Sequence, residues 1–125
     1  MKNKKLKSRI FYLIVTLLIA IVIFYASSIQ TTAGIPTGLN LAVLYHFGIF
    51  FIFTFFLTLT LKGKKLNSKI IVISLLISLF YAGSDEFHQL FVSGRFASFK
   101  DLLIDFAGSV CATLFLKLLD KFKKI

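Results

Sequence analysis

Eight side chains in this sequence combine types that do chemistry with places in or beside apolar runs, and most fall at spacings that a helix would bring together. Asp85, His88 and Gln89 stand at i, i+3 and i+4, one face of a helix, with Glu86 turned about 100° away from Asp85. Asp101 and Asp105 stand at i and i+4 on a second face. Two carboxylates at that spacing repel unless a cation lies between them. Arg95 is the nearest candidate for such a cation, and a bound metal ion is the alternative. His46 stands alone in an apolar run. Carboxylates and imidazoles can move protons, and the planar fork of a guanidinium suits a phosphate or a carboxylate. The candidate catalytic residues are therefore Asp85, Glu86, His88 and Asp105, and the candidate ligand-binding residues are His46, Gln89, Arg95 and Asp101. The acids and histidines are all suitable metal ligands. No spacing among them matches a metal motif, so no metal is assigned and the cofactor stays open.

The elements that carry these residues are set by composition. The chain has 125 residues, of which 58% are hydrophobic. A soluble domain of that size needs more polar surface, so lipid is the expected solvent. A spanning helix needs about 20 mostly apolar residues. Four segments qualify, at about 10–29, 41–61, 70–90 and 101–119; the third reaches spanning length only by including Asp85, Glu86 and His88, and the fourth carries Asp105. The expected fold is all-α: one integral membrane domain over residues 1–125, a bundle of four transmembrane helices. Residues 30–40, with Gly34, Pro36 and Gly38, read as a loop; Lys62 to Lys65 with Lys69 read as a basic turn; Val92 to Lys100 read as a tight hairpin. The first segment also resembles a signal peptide, but its 16-residue apolar run from Ile10 to Tyr25 is long for a cleaved one. Cys111, the only cysteine, excludes an internal disulfide and reads as a small packing residue.

A formal charge of +10 would point to nucleic acid in a soluble protein. Here the bases lie between apolar runs, so no nucleic-acid partner is expected and membrane lipid is. With four spans, thirteen of the fifteen bases fall on one side and only Arg95 and Lys100 on the other. The bias toward cytoplasmic lysine and arginine then places both termini in the cytoplasm of a multi-pass cell-membrane protein. On that topology Ser27, Ser28, Gln30, His46, Asp85, Glu86, His88, Gln89, Arg95, Asp101 and Asp105 all gather in the outer half. The inner halves read as apolar. A charge near the centre of a span costs about 2.5–3.5 kcal/mol, so Asp105 and His46 are expected to face a bundle interior or a wet cavity.

The block Ser84 to Phe91, then Gly94-Arg95, Ser98, Asp101, Asp105 and Gly108, resembles the signature of the VanZ-like family. Ser27, Ser28 and Gln30 at the end of the first span, and His46-Phe47 in the second, match earlier elements of the same family. The resemblance runs in order through nearly the whole chain. It implies a cell-envelope membrane protein linked to resistance against teicoplanin and related glycopeptides. The expected partner beyond membrane lipid is a lipid-linked envelope precursor or a glycopeptide. The resemblance implies no agreed mechanism.

The leading expectation is a protein that acts on, or shields, a polar lipid-linked component at the outer face. Arg95 would hold a phosphate or carboxylate, with Asp85, Glu86 and Asp105 orienting it or transferring protons. The rivals are a membrane enzyme that modifies a lipid or lipid-linked sugar, a small transporter, and a structural protein whose ion pairs only fix helix register. Apolar inner halves argue against the transporter. Ser74, Ser78 and Ala82, and Gly108 with Ala112, read as close-packing stripes. Whether the chain forms oligomers stays open.

Overall fold

Long apolar runs in lipid leave the backbone no water to bond, and a helix satisfies its N–H and C=O groups internally. The computed structural model describes residues 2–29 and 39–123. It contains four helices: α1 (Lys2–Ser28), α2 (Leu39–Leu61), α3 (Ser68–Gln89) and α4 (Phe99–Phe122). Each is long and apolar enough to cross a membrane. There is no strand among the described residues, and the fold is all-α. The helices outrun the expected spans: α1 starts at Lys2 rather than near residue 10, and α4 runs to Phe122 rather than 119. Lysine is a good helix former, so the basic flanks extend the helices past the apolar layer. Gln30, Pro36 and most of the expected 30–40 loop, and Lys124, lie outside the described residues.

The helices alternate in direction. Arg9 Nε donates to Thr60 O at 3.0 Å, and Asp120 at the far end of α4 accepts from Lys62 Nζ and from Leu66 N. The start of α1, the end of α2, the start of α3 and the end of α4 thus share one end of the bundle, here the terminal end. The expected site residues occupy the other. Helices α2 and α3 each pack against all the rest, whereas α1 and α4 do not meet.

Gly108 sets the closest approach. A Cβ there would stand 2.3 Å from Phe47 O, so only a hydrogen lets the backbones of α2 and α4 come this near. Ser74, Ser78 and Ala82 are buried along α3, and Ala112 continues the α4 stripe. Ile23, Phe50, Phe53, Leu57 and Ala82 form the apolar core, with Phe53 stacked on Tyr81 at 5.1 Å. Large side chains such as Phe80, Phe91 and Phe96 are exposed, as suits a surface that meets lipid. Cys111 is also exposed, so it lies on the outer surface of α4 rather than packing inside as expected.

Candidate functional site

Three helix ends deliver the site. The last turns of α3 bring Asp85, Glu86 and Gln89 inside, the first turns of α4 bring Asp101 and Asp105, and α2 brings His46. Asp105 is fully buried, 0% exposed, and its Oδ1 lies 2.9 Å from His46 Nδ1. The other ring nitrogen, Nε2, lies 3.7 Å from Asp101 Oδ2. His46 therefore occupies the place between the two aspartates for which Arg95 or a metal ion was the expected candidate. The expectation failed because residues near in sequence are not the ones the packing of α2 on α4 brings near.

The start of α4 explains why Asp101 faces inward. Ser98 is its N-cap, and the Ser98 hydroxyl accepts from Asp101 N at 3.2 Å. In a capping box the acid at Asp101's position would reach back to the N-cap N–H. Glu86 of α3 takes that N–H instead, with Oε2 2.8 Å from Ser98 N. The Asp101 carboxylate is left to face His46. Two carboxylate oxygens, Glu86 Oε1 and Asp105 Oδ2, are buried with no hydrogen-bond partner among the described residues. His46, Glu86 and Asp101 each offer one ligand-type atom, and the three atoms lie within 4.8 Å of one another. No pair of these residues lies within one helical turn, so no sequence motif announced the group.

Arg95 is placed by the turn before α4. Gly94 adopts φ 78°, a left-handed conformation that glycine takes without penalty, and the chain then turns Arg95 toward α1. Arg95 Nε donates to Ile29 O at 3.0 Å and Nη2 to Ala26 O at 2.9 Å. These carbonyls close the C-terminal end of α1, where a cation also meets the negative end of the helix dipole. No acid forms an ion pair with Arg95 among the described residues, so the expected orientation of Arg95 by Asp85, Glu86 or Asp105 is not what the structure shows.

Between α1 and α2, with α3 as its floor, lies a cavity of about 480 Å³. That falls in the range of small-molecule sites, roughly 300–1,000 Å³. Its polar wall holds Ser27, Tyr45, His46, Asp85, Gln89 and Arg95. Its apolar wall includes Ile23, Ile49 and Phe50. Gln89 Nε2 donates to Asp85 Oδ2 at 3.3 Å, which fixes two of the polar groups. His88, expected beside them, turns to α1 instead: it stacks on Phe24 at 4.6 Å, and its Nε2 lies 2.9 Å from Ser28 Oγ. The structure thus places all eight candidate residues at one end of the bundle, where His88 turns away from the other seven as a clasp between α3 and α1.

A family model described as VanZ/LLP1 matches residues 5–120, nearly the whole chain. The chain belongs to the VanZ/LLP1 family. No curated protein and no solved structure matches it. Family membership and four candidate spans together make it a multi-pass membrane protein whose apolar helices contact lipid.

The sequence reading of this VanZ/LLP1 protein missed the inside of its bundle. The halves of the helices away from the site are not purely apolar: Thr54, Thr58, Ser74, Ser78, Ser109 and Thr113 are all buried there or midway along. Thr54 Oγ1 is 2.8 Å from both Ser78 Oγ and Ser109 Oγ, which links α2, α3 and α4, and Ser109 donates on to Asp105 O at 3.0 Å. Hydroxyls carry little weight in a hydropathy reading; all of these but Ser74, whose Oγ is buried without a partner among the described residues, bond to one another or to their own helix. Tyr45 was also missed, since one tyrosine among so many aromatics carries no signal of its own.

Proposed function

We propose that the cavity between α1 and α2 holds the polar head of a lipid-linked envelope component at the outer face, and that doing so lowers susceptibility to teicoplanin-type glycopeptides. In this reading residues 1–125 form one domain, both termini are cytoplasmic and the site end faces outward. The asymmetry of Lys and Arg supports that orientation. The observation that carries the reading is the two-sided cavity. An amphiphile needs an apolar wall for its tail and a few fixed polar groups for its head, and this cavity supplies both. The expected link to glycopeptides comes with the VanZ family and supplies the phenotype to measure.

The test compares cells that carry the wild type, Asp85→Asn, Ala42→Trp or no protein, at matched abundance. Ala42 lines the cavity, so tryptophan fills it and leaves the polar groups unchanged. Both variants are expected to return teicoplanin susceptibility to that of cells without the protein. Equal susceptibility with and without the wild type would overturn the reading. The pairing of His46 with buried Asp105 favours a second reading, an enzyme, because a carboxylate that orients an imidazole prepares it for proton transfer. Mass spectrometry of membrane lipids and lipid-linked precursors in the same cells separates the two. A species formed only with the wild type supports the enzyme; identical profiles support binding or shielding.

A further inference from the structure

We propose that His46, Glu86 and Asp101 bind one divalent transition-metal ion of the zinc, cobalt and manganese class, with Asp105 as the residue that positions His46. The inference stands on the geometry of these four side chains and holds whether or not the cavity takes an amphiphile.

The positioning contact comes first. A histidine that ligates a metal through one ring nitrogen usually gives its other N–H to a carboxylate or carbonyl, which fixes its tautomer and orientation. Asp105 Oδ1 lies 2.9 Å from His46 Nδ1, and Asp105 is wholly buried, so it is well placed to hold a proton on Nδ1. Nε2 is then the nitrogen with a free lone pair. It faces Asp101 Oδ2 at 3.7 Å, too long for a hydrogen bond. Ligand atoms on one ion at about 2.0–2.2 Å stand about 3–4 Å apart, so that spacing suits two ligands of one ion. A Glu86 oxygen lies within 4.8 Å of the same two residues' ligand atoms.

A second observation points to a cation independently of that spacing. Glu86 is only 6% exposed, and its Oε1 is buried without a hydrogen-bond partner among the described residues. Its Oε2 is already engaged by Ser98 N. A buried carboxylate oxygen left unpaired is costly, and a bound cation removes that cost. The same ion would offset the repulsion of Glu86, Asp101 and Asp105, which share this end of the bundle with no lysine or arginine paired to them among the described residues. One imidazole with two carboxylates suits a borderline transition ion better than magnesium or calcium, which prefer oxygen throughout.

The experiment uses the purified full chain in detergent, stripped with a chelator and titrated with Co²⁺ and with Zn²⁺. One Co²⁺ per chain is expected to bind and to give a visible d–d absorption that Zn²⁺ abolishes. Glu86→Gln keeps the oxygen that caps Ser98, and Asp101→Asn changes a partly exposed side chain, so both are expected to stay folded. Each should weaken Zn²⁺ binding at least tenfold. Asp105→Asn, which keeps the first three ligands, should weaken it by about 10–100-fold, the usual effect of a supporting carboxylate. Size-exclusion profiles and helical circular dichroism, read on every variant, separate loss of metal from loss of fold. Absence of stoichiometric Co²⁺ binding by the folded wild type would overturn the proposal. So would variants that are folded and bind Zn²⁺ as tightly as the wild type.

Discussion

Gly108→Ala should loosen the bundle and the site together. The added Cβ would stand 2.3 Å from Phe47 O, where ordinary contact begins at 3.4 Å. The shortfall, 3.4 − 2.3 = 1.1 Å, is met by backbone on both sides, so no flexible side chain can absorb it. Helix α4 must back away from α2. Overpacking of this kind costs about 1–3 kcal/mol. His46 is next to Phe47 in the sequence, and Asp105 is one turn before Gly108 on α4. A retreat of that size would stretch the His46–Asp105 contact, now 2.9 Å, beyond hydrogen-bond range. The assay is reversible unfolding in mixed micelles, followed by helical circular dichroism. The control is Gly83→Ala, where an added Cβ meets nothing within 4 Å. Alanine is the better helix former by about 0.5–1 kcal/mol, so that variant should be neutral or more stable. A Gly108→Ala protein as stable as Gly83→Ala would refute the close approach of α2 and α4 and the coupling drawn from it.

Other outcomes follow from single contacts. Thr54→Val removes the hydroxyl that joins Ser78 and Ser109, and should cost about 0.6–2 kcal/mol in the same unfolding assay, the usual worth of a hydrogen bond between membrane helices. Ser98→Ala removes the N-cap of α4 and should cost about 1 kcal/mol, with faster hydrogen exchange confined to the first turn of that helix. Arg95→Gln loses both bonds to the end of α1, so amides near Ala26 and Ile29 should exchange faster while the core of α2 and α4 stays protected.

Much of the architecture was legible in the sequence because lipid imposes it. A run of apolar residues long enough to cross a bilayer has one general solution, a helix, and four such runs announced α1 to α4 within a few residues of their bounds, except at the start of α1. The ordered block from Ser84 to Gly108 carried the VanZ resemblance, which the family match over residues 5–120 bears out. The helix ends were less legible, since lysine-rich flanks extend a helix without a hydropathy signal.

The residues of the candidate site were legible in the sequence, and their pairings were not. Spacing along α3 and α4 named the acids, but periodicity orders residues only within one helix. It could not show that His46 reaches Asp105, that Glu86 caps Ser98, or that Arg95 closes α1 rather than answering an acid. Those contacts depend on how far α4 can sink against α2. That depth is decided by Gly108 meeting the backbone of Phe47 and by Thr54 bonding to Ser78 and Ser109. The local chain determined which residues lie at the site end of each helix; the packing of helices distant in sequence determined which of them touch.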